Sequence, residues 1–122
     1  MVEKKLISLG KRGELIAKKF LENSGYKIAA TNIKLGNLEI DLIASHHGWL
    51  YFFEIKTKST PLQSKSDSLI SKKQLTNLKK AAHIYAAKEM INWETIKFDL
   101  ICIHLDKLTK TAHLKRYHDI FS

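Results

Sequence analysis

Glu39, Asp41, Glu54 and Lys56 crowd one short stretch of a chain that holds only twelve acids against twenty-one lysines and arginines. The segments carrying them, 38–44 and 49–57, alternate with period two and are rich in aliphatic, β-branched and aromatic residues, so each is expected to be a strand. Ser45-His46-His47-Gly48 between them is a polar, glycine-ended turn, which makes the pair a hairpin. With His47-Gly48 as a two-residue loop, His46 pairs with Trp49, Asp41 falls across from Glu54, and Glu39 falls across from Lys56. A four-residue loop shifts the pairing by two and leaves the same groups on one face. On the first strand that face carries Glu39 and Asp41, with Leu38, Ile40, Leu42 and Ala44 on the other. Like charges facing each other across a sheet are destabilising, so the hairpin requires a compensating cation. Lys56 alone could be that cation. A divalent metal held by Asp41 and Glu54, with Lys56 beside it, would instead give a metal-dependent phosphodiesterase.

Other elements must position this hairpin. Leu9, Gly13, Ile16, Ala17 and Phe20, with Leu21 alongside, recur at helical spacing, and Ser24-Gly25 ends that helix with Gly25 as its left-handed cap. Gly13 would let the helix approach the sheet closely and would bring Glu14 over the sheet face, although a helix-surface Glu is more often a solvated charge. Tyr26–Ile33 reads as a strand before the hairpin. The polar, serine-rich stretch 59–68 reads either as a mobile flap over the site or as a connection with no role.

Ser71-Lys72-Lys73-Gln74 has the form of a capping box opening a second helix, with Leu75, Leu78, Ala82, Tyr85 and Ala86 on its apolar face and a run to about Met90. Its lysines would either be a solvated face or draw a phosphate backbone. The apolar run 95–105 suggests a central strand buried on both faces. The crossover joining it to strand 49–57 has the length for a parallel pair. Thr109–Arg116 adds a short edge strand.

Composition bounds the answer. One domain spanning 1–122 is expected for 14.0 kDa, with an ordinary balance of 44% hydrophobic and 27% charged residues. No apolar run approaches the ~20 residues of a membrane helix. Met1-Val2-Glu3-Lys4-Lys5 lacks the apolar stretch of a signal peptide, so a cytoplasmic location with no membrane partner is expected. The single cysteine, Cys102, excludes an intramolecular disulfide and a multi-cysteine zinc site. The six histidines show no compact ligand spacing, no serine sits in a nucleophile elbow, and no glycine-rich loop cradles phosphates. A net charge of +9 points to a polyanionic partner, nucleic acid first.

Gly13-Glu14-x-x-Ala17, Gly25-Tyr26-x-Ile28, Asn32, Glu39-Ile40-Asp41-Leu42-Ile43-Ala44, Phe53-Glu54-Ile55-Lys56-Thr57, Lys73-Gln74 and Lys97-Phe98-Asp99 together resemble the small bacterial YraN-like proteins. These fall in the restriction-endonuclease-like PD-(D/E)XK superfamily and are distantly similar to archaeal Holliday junction resolvases. The resemblance covers nearly the whole chain, and its specificity lies in the ordered set. Two positions depart from it: Leu38 stands where the family usually has glycine, and Lys58 where it usually has arginine. The resemblance implies an α/β, restriction-endonuclease-like core, a mixed sheet of about five strands with a helix on each side. It implies a Mg²⁺-dependent (or Mn²⁺-dependent) endonuclease on DNA, branched or junction DNA included, with RNA not excluded. Asp41, Glu54 and the backbone carbonyl of Ile55 would hold the metal, Glu14 would complete the site, and Lys56 would handle the attacking water. Glu39 would join them or simply pair with Lys56. Lys58, Lys72, Lys73 and Gln74 would face nucleic acid, and a junction cutter would need a homodimer. Two other readings stand beside this one: a catalytically idle nucleic-acid-binding protein on the same fold, and a structural partner in a ribosomal or DNA-handling assembly.

Overall fold

A computed structural model gives the fold and describes residues 8–59 and 70–121. The chain runs α1 (Leu9–Asn23), β1 (Lys27–Leu35), β2 (Leu38–His46), β3 (Trp49–Ser59), α2 (Lys72–Lys88), a 3₁₀ turn (Trp93–Thr95), β4 (Ile96–Asp106) and β5 (Thr111–Tyr117). The strands form one mixed sheet in the order β1-β2-β3-β4-β5, with only β3 and β4 parallel. This is the α/β architecture expected, five strands with a helix on each side, and is consistent with a restriction-endonuclease-like core. The flap expected over 59–68 lies, beyond Ser59, outside the described residues. No helix among the described residues is long and apolar enough to cross a membrane.

Each helix has a sequence reason for its bounds. Ser8 caps α1 by accepting from the Lys11 amide, and Gly25 beyond its end adopts φ +92°. Ser71 and Gln74 form the reciprocal capping box of α2 at 3.1 and 2.9 Å. α1 buries Gly13, Ala17 and Leu21, a narrower stripe than expected, because Leu9 and Phe20 stay partly exposed. Gly13 is the contact point. A β-carbon there would lie 2.7 and 2.9 Å from Thr57 Cβ and Cγ2 on β3, and closer still to Oγ1. A larger residue would push α1 off the sheet.

The helices cover separate cores. Ala17 and Leu21 pack with Leu42, Ala44, Phe53, Ile101 and Ile103 on one face. On the other, Leu78, Ala81 and Ala82 pack with Ile40, Ile43, Phe52 and Phe98. β4 buries Phe98–Ile101 consecutively because both faces are covered. As the run suggests, it is an interior strand, between β3 and β5 and one place from the middle of the sheet.

Asp99, 1% exposed, ties the C-terminal segment to this sheet. Its carboxylate accepts from Arg116 Nε at 2.9 Å and from the Asp119 amide at 2.9 Å, with His118 Nδ1 at 3.0 Å. The Arg116 guanidinium lies over the Tyr26, Tyr51 and Phe53 rings, 4.9 to 5.3 Å from their centroids. A buried charge is tolerable only when paired in this way.

Candidate active site

The hairpin register is the one the two-residue loop requires. His46 pairs with Trp49, and the ladder continues through Leu42↔Phe53. It stops there, one residue short of Asp41 and Glu54, so the two acids do not form the cross-strand pair expected. Asp41 instead uses its side chain: Oδ2 accepts the Ile55 amide at 2.8 Å. A carboxylate thus takes the place of a backbone acceptor at the point where β2 and β3 part.

The expected alternation along β2 also fails at Asp41. Leu42 and Ala44 belong to the α1 core, but Ile40 belongs to the α2 core, so Ile40 and Leu42 face opposite ways. Across the β1–β2 ladder, Thr31↔Leu42 and Ile33↔Ile40 pair while Asn32 and Asp41 between them do not. Beside this break Asn32 of β1 adopts a φ of +50°. Asn is among the few residues that tolerate this left-handed region.

Glu39 lies beside Glu14 of α1. Ligand oxygens of Glu14, Glu39 and Asp41 all lie within 4.8 Å of one another. The Asn32 amide bridges Glu14 and Glu39, in the orientation its neighbours assign. Its nitrogen donates to Glu14 at 2.7 Å and to Glu39 at 3.2 Å, and its oxygen accepts from Lys11 Nζ at 3.0 Å. Lys11 also lies 3.4 Å from Glu14 one turn along α1. Lys11 is the cation the sequence reading missed, although its i,i+3 spacing from Glu14 was legible.

Glu54 is outside that trio but shares a cavity of about 190 Å³ with Asp41, lined also by Glu39, Gln74 and Asn77. Burial pushes the Glu54 carboxyl up to about 7, with the Asp41 charge adding to the rise and Lys56 opposing it. Burial likewise lifts Asp41 to about 6; the Ile55 amide opposes this, and the Glu14 and Glu39 charges reinforce it. Glu39 and Asp41 therefore join Glu14 on one side to Glu54 and Gln74 on the other, and Lys56 is near enough for its charge to act on Glu54. Lys58 lies two residues past Lys56, paired with His104. Lys72 and Lys73 are exposed at the start of α2, and Lys72 lines a different groove.

An all-oxygen, carboxylate-rich donor set with ionisation suppressed fits a hard divalent cation, which would favour the charged forms. The same suppression gives a pH test. Folded Asp41 and Glu54 keep protons that an unfolded chain, with values of 3.8 and 4.5, has already released. The metal-free protein therefore loses stability from these groups as pH rises from about 4 through about 7. Glu54→Gln cannot ionise. In chelator, its melting-temperature advantage over the parent should widen across that window, and Mg²⁺ should narrow it by stabilising the parent. A pH-independent difference would contradict the burial argument.

The family model described as "Uncharacterised protein family UPF0102" matches residues 13–103. Among similar curated proteins, a UPF0102 protein of Cytophaga hutchinsonii is 34% identical over 103 residues, covering 84% of this chain and 89% of the relative. One from Christiangramia forsetii is 33% identical over 108 residues, 88% and 90% of the two chains. One from Persephonella marina is 31% identical over 111 residues, 91% and 93%. The matched span holds every carboxylate of the site.

Proposed function

We infer that this chain, which belongs to the UPF0102 family, is a Mg²⁺-dependent (or Mn²⁺-dependent) endonuclease hydrolysing phosphodiester bonds in DNA. The observation that carries this reading is the convergence of four carboxylates from α1, β2 and β3, two with raised pKa values, in a chain of net charge +9.

Asp41 and Glu54 would hold the metal together with the Ile55 carbonyl, and Glu14 would add a further carboxylate. Bound there, the ion supplies Lewis acidity toward the scissile phosphate and a lowered pKa for the attacking water. The chain's own groups do the remainder. The Ile55 amide fixes the Asp41 carboxylate, and Asn32 holds Glu14 and Glu39 in place. Lys56, close enough to counter the Glu54 charge, orients the water and balances negative charge developing on the phosphate. Lys58, Lys73 and Gln74 extend toward the phosphate backbone. Work in the cytoplasm on branched or junction DNA, as a homodimer that cuts both strands, belongs to the same proposal, and RNA remains a substrate to compare.

One observation favours an idle binding protein instead. Lys11 already neutralises part of the acidic group, bonded to Asn32 and beside Glu14, as a metal would. Lys56→Ala separates the two readings, because the lysine is not among the proposed ligands. Duplex, branched and single-stranded DNA are each incubated with Mg²⁺ and either protein. An enzyme loses roughly 10²-fold or more in cleavage rate on this change while Mg²⁺ affinity stays near that of the parent. An idle protein binds all three DNAs in a salt-sensitive way and cleaves none.

A further inference from the structure

A second feature of α2 lies on the flank opposite the acidic cavity. Gln74 and Asn77 face that cavity. Lys72, Leu75, Thr76, Lys79 and His83 recur three to four residues apart on the other side, where they wall a groove closed by Phe121. Its volume of about 480 Å³ falls within the roughly 300–1,000 Å³ of sites that take small organic groups. Among the described residues, Lys72, Lys79 and Lys80 line it and no carboxylate does.

The far wall is fixed. The Ile120 amide donates to the Phe98 carbonyl at 3.0 Å, and Phe121 meets the Phe98 ring at right angles with centroids 4.7 Å apart. These contacts hold the Phe121 ring in place, with Lys79 Nζ over it at 5.3 Å. At the other end, His83 stacks flat on Trp93, with centroids 3.5 Å apart and planes within 8°. A row of ammonium groups along an anchored aromatic ring is the chemistry that binds an unpaired strand: lysines take phosphates, and the ring takes a base.

We propose that the groove between α2 and the C-terminal segment binds an unpaired DNA strand, with Lys72, Lys79 and Lys80 on its phosphates and one base stacked on Phe121. On binding, Lys79 leaves the ring for a phosphate and the base takes its place. This rests on the nuclease reading and sharpens its substrate. Contact regions on opposite flanks of one helix suit DNA that is branched or frayed, with duplex at the carboxylates and a single strand in the groove.

The test is fluorescence anisotropy in chelator, so that binding is read without cleavage. A labelled single strand and a duplex of equal length are titrated with the parent, Lys79→Glu/Lys80→Glu, Phe121→Leu, and a control pair of reversals outside the groove, Lys27→Glu/Lys110→Glu. Reversal of Lys79 and Lys80 should weaken single-strand binding about ten-fold beyond the control. It should also flatten the salt dependence by about 1.4, for two phosphates at roughly 0.7 each. Phe121→Leu keeps an apolar contact with Phe98 but loses the stacking face. It should weaken single-strand binding about five-fold or more while leaving duplex binding unchanged. The proposal is overturned if Phe121→Leu binds the single strand like the parent. It is equally overturned if the lysine pair costs no more than the control, or if the parent binds no single strand. Because no metal is present, a protein that binds here and never cleaves would refute the nuclease reading alone. One that cleaves and whose single-strand binding is untouched by these substitutions would refute only the groove.

Discussion

Asp41→Asn is expected to lower Mg²⁺-dependent DNA cleavage by at least ~10³-fold, the rate equivalent of the several kcal/mol a metal contributes to a phosphoryl transition state. The loss should come without unfolding, for a specific reason. Asp41 Oδ2 accepts the Ile55 amide where β2 and β3 separate, and the amide oxygen of Asn can accept the same bond. The substitution also removes a carboxylate that burial and the Glu14 and Glu39 charges already make costly to ionise. In chelator at neutral pH the variant should therefore melt at or above the parent's temperature, with an unchanged circular dichroism spectrum. Asp41→Ala, which cannot accept from Ile55, should be inactive and less stable. An Asn variant that cleaves like the parent would show that Asp41 is not a metal ligand.

Gly13→Ala should have the largest structural effect for its size. The added carbon would collide with the β-branched Thr57 side chain, its Oγ1, Cβ and Cγ2 all closer than ordinary contact allows. Overpacking of this kind costs roughly 1–3 kcal/mol. Here it also lifts the part of α1 that carries Lys11 and Glu14 from the acidic group. Cleavage should accordingly fall further than stability alone explains, because a displacement of about 1 Å at a site can cost about 10²-fold. Gly10→Ala is the internal control. Nothing lies within 4 Å of its added carbon, and alanine is favoured over glycine in a helix by about 1 kcal/mol. Calorimetric melting should show Gly10→Ala at or above the parent and Gly13→Ala several degrees below it. Equal behaviour of the two would contradict the close approach of α1 to β3.

Much of this was legible in the residues, because local chemistry leaves local marks. Ser71 and Gln74 spell a capping box, Gly25 a helix stop, and His47-Gly48 a two-residue turn that fixes His46 against Trp49. Gly13 beside Glu14 marked where a helix comes close to the sheet. The acids were readable as a group, but their grouping was not. Period-two reasoning assumes an unbroken pleat, and β2 changes step at Asp41, where the neighbouring strand carries the left-handed Asn32. The break in β2 accompanies the grouping of Glu39 with Glu14, and alternation alone does not show it. The unusual Leu38, where the resemblance led one to expect glycine, is accommodated without a break. Leu38 pairs with Leu35 and packs at the edge of the α2 core. Asp99 stood out as a motif residue with no role. Its role is structural, since its partners come from the segment 116–119, too distant in sequence for spacing to reveal.

Metal-dependent cleavage is read by following a labelled branched DNA with the parent protein, first in chelator and then across a Mg²⁺ titration, with Glu54→Gln run in parallel. The expected result is no cleavage in chelator, cleavage that rises and saturates with Mg²⁺, and a trace from Glu54→Gln that stays near the baseline. Intact DNA at saturating Mg²⁺ and Mn²⁺, or identical cleavage by both proteins, would contradict it.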